Sequence, residues 1–63
     1  MDIIFNIDFD TEEVYAVVDN SIKIRMFKDG DHFKFKNFEK LDDDVLQRKL
    51  KQICKLLLSL EDE

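Results

Sequence analysis

Asn6, Asp8 and Asp10 alternate along "FNIDFD", which sets three oxygen-bearing side chains on one face of an extended segment. Such a row offers hard ligands to a divalent cation, but a cation site draws its oxygens from several elements. A solvated strand face is the simpler reading. "DGDH" (29–32) copies part of a calcium loop and lacks the later ligands and the closing Glu, so it reads as a turn. "DDD" (42–44) stands before a helical pattern, where acids cap. His32 has no Cys or carboxylate in view. A nucleophile–base pair with Cys54, the only thiol, would have to join a hairpin tip to a helix. A 63-residue chain has little room for a water-excluding pocket. The expectation is a protein that is not an enzyme and uses neither cofactor nor metal.

The remaining chemistry is recognition. Lys23, Arg25, Lys28, Lys34 and Lys36 gather around one turn in a chain of net charge −5. Residues 1–22 hold six acids and no Lys or Arg; residues 23–40 hold six basic residues against three acids. Tyr15 and Phe27 fall among the cations, so Tyr15, Lys23, Arg25, Phe27, Lys34 and Lys36 are the candidate partner-binding residues. Cations between aromatic rings on an open sheet suit stacked single-stranded bases. The acidic balance, with an isoelectric point near 4.7, opposes phosphate and favours a protein partner. The simplest alternative is a solvated face whose lysines keep an edge strand from pairing.

Four β-like segments position these residues: 3–9, 14–18, 22–28 and 32–38. Short polar connections join them, so an antiparallel meander is predicted. Asp29-Gly30 as a two-residue type I′ loop pairs Met26 with Phe33, Ile24 with Phe35, Arg25 with Lys34 and Lys23 with Lys36. A three-residue "DNS" loop pairs Val18 with Ile22 and Ala16 with Ile24. A four-residue "DTEE" loop pairs Phe9 with Val14 and Ile7 with Ala16. These registers gather the large aliphatic residues on one face.

Residues 42–60 read as a helix capped by Asp42, with Leu41 and Leu46 as a hydrophobic staple. Leu46, Leu50, Ile53, Leu57 and Leu60 form a stripe that should cover the apolar sheet face. The fold class is α+β: a four-stranded antiparallel meander with one C-terminal helix, ββββα, in a single domain 1–63 with a frayed acidic tail at 61–63. Val45 and Leu56 on one flank, and Cys54 and Leu58 on the other, extend the apolar arc to roughly 220°. They are the candidate second interface, for a partner helix or a homodimer.

One Cys leaves no internal disulfide and points to a reducing cytoplasm. "MDIIFNIDFD" has no signal-peptide pattern, and no apolar run approaches a membrane span. The order of elements resembles the four-strand-plus-helix domain of the transcriptional coactivators that bind single-stranded DNA. That likeness implies dimerisation through the helix and DNA on the sheet. Small acidic single-domain proteins are also common among phage-encoded inhibitors of host enzymes. The expected function is a binding module that docks on and modulates or inhibits a larger protein. Single-stranded nucleic-acid binding is the alternative.

Overall fold

The computed structural model describes residues 1–62. Strands β1 (Ile3–Asp8), β2 (Glu13–Val18), β3 (Ile22–Asp29) and β4 (His32–Lys36) form one antiparallel sheet in that order. A 3-10 turn, Phe38–Lys40, leads into α1 (Asp44–Leu58), and a second one, Ser59–Asp62, follows it. This is the ββββα meander that the alternation and turn residues predict. Residues 61 and 62 of the tail expected to fray lie in that last turn. Glu63 lies outside the described residues.

The middle hairpin takes the predicted register, with Val18 opposite Ile22 and Ala16 opposite Ile24. Its loop works because Asp19 and Asn20 both accept positive φ, 52° and 60°. The two outer hairpins correct the expected registers by two residues. Asp8 ends β1 early, because its Oδ1 accepts the N–H groups of Asp10 and Thr11 at 3.0 and 3.3 Å. The loop becomes residues 9–12, with Glu12 at φ 57°, and Ile7 pairs with Val14 rather than Ala16. At the last hairpin, Asp29 pairs with His32 and the loop is Gly30-Asp31. Positive φ falls on Gly30 (63°) and not on Asp31, the pattern of a II′ turn with Gly first. Met26 therefore faces Phe35, and Arg25 faces Lys36. A two-residue slip keeps every side chain on its predicted face.

β4 ends two residues sooner than predicted. Asn37 turns left-handed (φ 67°), and its side-chain amide donates to the Lys23 carbonyl at 3.2 Å. That turn drops Phe38 into the core instead of continuing the strand. The cap of α1 is Asp43, not Asp42; its Oδ1 accepts from the N–H groups of Val45 and Leu46. The staple position therefore belongs to Gln47, whose amide donates to the Leu41 carbonyl at 2.6 Å.

The core is Val14, Ala16, Val18, Ile24 and Met26 of the two middle strands, closed by Phe38, Leu41, Leu50 and Cys54. Helix α1 lies closest to β2. Its phase differs from the expected stripe by roughly 50°. Leu50 and Cys54 are buried, with Leu46, Leu57 and Leu58 packed beside them, while Ile53 and Leu60 are exposed. The aromatic wall of β4 accounts for the rotation: Lys51 lies over Phe35 and Phe38, and Lys55 over Phe33 and Phe35. Turning those two lysines over the rings brings Cys54 to the sheet, and its small side chain lets the helix approach closely. Among the described residues no helix is long and apolar enough to cross a membrane.

Candidate functional site

The outer sheet face is a grid set by strand pairing. One row runs Ile4, Val17, Lys23; the next Asn6, Tyr15, Arg25, Lys36; the next Asp8, Glu13, Phe27, Lys34. Five of the six residues proposed from sequence, Tyr15, Arg25, Phe27, Lys34 and Lys36, lie in the second and third rows, and Lys23 lies beside them. The second and third rows run from neutral or acidic at β1 to basic at β4, and the first ends on Lys23 of β3.

Arg25 is not a free cation. Its guanidinium forms an ion pair with the Glu13 carboxylate, which also accepts the Tyr15 hydroxyl. The guanidinium carbon sits 5.6 Å from the Tyr15 ring centre and 4.8 Å from that of Phe27. Its Nε has no hydrogen-bond partner among the described residues, so the rings take the place of water around it. The Tyr15 hydroxyl and then Arg25 hold the Glu13 carboxyl below the usual carboxylate range. The same carboxylate raises the Tyr15 phenol and the Arg25 guanidinium. The three groups form a bridge between β2 and β3 that holds one positive and one negative charge.

Lys34 contacts the Asp29 carboxylate at 3.2 Å, with both side chains largely exposed. Lys36 lies 5.7 Å from the Phe27 ring. The ribbon is therefore less positive than its composition suggests. The like-charge pairs also change with the register. Arg25 opposes Lys36, while Lys34 opposes Phe27. Sequence reasoning missed Glu13, although the correctly predicted β2–β3 register already places it diagonal to Arg25. It also missed Ile4, which stands exposed beside Val17 on this face.

The second surface is on α1. Val45, Ile53, Leu56 and Leu60 are 51%, 39%, 67% and 60% exposed. At about 100° per residue they share one arc of roughly 80°, with Lys49 among them. Of the second-interface residues proposed from sequence, Val45 and Leu56 lie here. Cys54 and Leu58 are corrected to the core side, because the helix turns them onto the sheet. Burial pushes the Cys54 thiol up to about 11, so at neutral pH it is neither thiolate nor accessible.

Comparison with protein-family models, with curated proteins and with solved structures finds no match to this chain. The resemblance to the single-stranded DNA-binding coactivators rests on element order and the basic sheet alone.

Proposed function

We propose that this chain is a small, non-enzymatic binding module of a reducing cytoplasm that docks on a larger protein and modulates or inhibits it, in the manner of phage-encoded inhibitors. One observation carries the reading: α1 exposes Val45, Ile53, Leu56 and Leu60 on one arc around Lys49, although the core closes without them. Large exposed apolar side chains gathered on one face mark an interaction surface. The graded charge of the outer sheet face would orient the approach of a partner.

The test is capture of a partner by the wild-type chain and by a Leu56→Glu, Leu60→Glu variant. Both positions are exposed, so stability in a denaturant melt should stay within about 0.5 kcal/mol of wild type per site. Capture should be lost. A partner retained equally by both proteins would remove the helix arc from the interface. Single-stranded nucleic acid is the second reading, favoured by Lys23 and Lys36 around the Phe27 and Tyr15 rings. Fluorescence anisotropy with a synthetic single-stranded oligonucleotide decides it. Binding that weakens steeply with salt, by counterion release, would establish that reading over the first.

A further inference from the structure

β1 is one of the two edges of the sheet, and one side of its backbone is unpaired among the described residues. Asp19 donates its N–H to the Asp2 carbonyl at 2.7 Å, and the Asp2 N–H returns to the Asp19 carboxylate at 2.9 Å. In an antiparallel ladder, bonded and non-bonded pairs alternate. Continuing the pairing from Asp2 opposite Asp19, residues 4, 6 and 8 bond to β2. The other side of β2 agrees, because the Lys28 N–H donates to the Glu12 carbonyl and so assigns the alternate residues of β2 to β3. The N–H and C=O groups of Ile3, Phe5 and Ile7 therefore point away from the sheet. β1 is an edge strand, and nothing in the described residues pairs with that side.

Their side chains are unfinished in the same way. Ile3, Phe5 and Ile7 face the core but are only half-buried, whereas Val14, Ala16 and Val18 of the neighbouring strand are buried. Helix α1 turns Lys51 and Lys55 toward β4, so its opposite flank, with Ile53 and Leu60, lies on the β1 side. β1 has no Lys, Pro or bulge, the usual devices that discourage strand addition.

Charge selects the occupant. Asp2 and Asp8 share the outer face at the two ends of β1, about 20 Å apart, and residues 1–22 hold no Lys or Arg. A second copy of β1 would bring acid against acid. We propose that β1 accepts an extended segment of another protein as a fifth strand. The segment has the pattern basic–apolar–x–apolar–x–apolar–basic. Its apolar residues continue the inner face beside Ile3, Phe5 and Ile7, and its end cations reach Asp2 and Asp8. Main-chain bonds supply affinity and the alternate side chains supply selectivity. The inference rests on the binding-module reading and names the chemistry of the partner.

The probe is the peptide acetyl-Lys-Val-Thr-Val-Thr-Val-Lys-amide, read by amide hydrogen exchange on the intact wild-type chain. Without peptide, the Ile4, Asn6 and Asp8 amides should exchange slowly and those of Ile3, Phe5 and Ile7 fast. Peptide at saturation should slow the second set by about tenfold or more. Ile4→Lys, at an exposed outer position, should weaken the peptide several-fold and leave the fold intact. A peptide with glutamates in place of both lysines should not bind. Absence of binding at millimolar peptide, or binding that leaves the Ile3, Phe5 and Ile7 amides fast, overturns the proposal. Concentration-dependent protection of those amides without peptide would show a second copy on the edge and would also overturn it. A captured partner that depends on Leu56 and not on Ile4 removes this inference and keeps the binding module. Dependence on neither removes both.

Discussion

Strands β1 and β4 are the two edges of one sheet, and they end it in different ways. On its outer face β4 carries Lys34 and Lys36, where β1 carries Asp8 and Asn6 in the same rows. On the inner face, Phe33 and Phe35 lie under Lys51 and Lys55, and Phe35 meets Phe38 edge to face at 5.2 Å. Ile3, Phe5 and Ile7 of β1 are half-buried as Phe33 and Phe35 are, but no lysine lies over them among the described residues, and Ile53 and Leu60 on the other flank of the helix are exposed. Lysine stems cover aromatic surface while their ammonium groups stay in water, so β4 is closed against a neighbour without a further element. β1 is hydrogen-bonded to β2 alone, and Ile3, Phe5 and Ile7 pack half-buried against the core. The contrast teaches that one helix phase gives the two edges different neighbours, lysine stems over the rings of β4 and the Ile53 and Leu60 flank on the β1 side.

Truncating the inner face on each side is the strongest way to break this comparison. Phe35→Ala removes the ring that Phe38, Lys51 and Lys55 share and should cost about 3 kcal/mol or more in a denaturant melt. Phe5 is half-buried as Phe35 is, but among the described residues no lysine or second ring lies on it, so Phe5→Ala should cost less. Equal losses would mean that β1 is as well covered as β4.

Backbone substitution sharpens the edge geometry at the next level. Asn6→Pro removes an N–H that bonds to β2 and should lower stability by about 1–3 kcal/mol. Ile3→Pro at the first residue of β1 removes no ladder bond and should lose only the packing of its half-buried side chain. If Ile3→Pro costs as much as Asn6→Pro, the assignment of free and bonded amides is wrong.

Smaller effects follow from charge. Lys36→Glu places an acid opposite Arg25 and should stabilise by about 0.2–1 kcal/mol. Lys34→Glu opposes Phe27 instead and loses the contact with Asp29, so it should give no gain. A gain from Lys34→Glu equal to that from Lys36→Glu would restore the register expected from the sequence, which sets both lysines opposite cations. The smallest effect is the pH response of the bridge. Glu13 is more acidic in the folded chain than in the unfolded one, so its contribution is present above the usual carboxylate pKa and fades as pH falls through the folded value. Melting temperature should therefore decline below about pH 4, and Glu13→Gln should flatten that decline.

The amino-acid sequence by itself determined the strand count, the antiparallel order, the face of every strand residue and the existence of the helix. Alternation and short polar loops carry that information locally, and a slip of two residues leaves the faces unchanged. It did not determine the outer registers, since Asp8 and Gly30 each permit two loop placements and local turn bonds choose between them. Nor did it determine the helix phase. Leu46, Leu50, Ile53, Leu57 and Leu60 make a regular stripe, but an apolar arc wider than the sheet can be seated at several rotations. Only the tertiary contact of Lys51 and Lys55 with the Phe33, Phe35 and Phe38 rings selected one. The basic ribbon was legible as composition, while its partial neutralisation by Glu13 and Asp29 depended on pairing across strands. The open edge of β1 was the least legible feature. Which amides face solvent depends on ladder parity, and that is decided only when Asp2 meets Asp19 in the folded sheet.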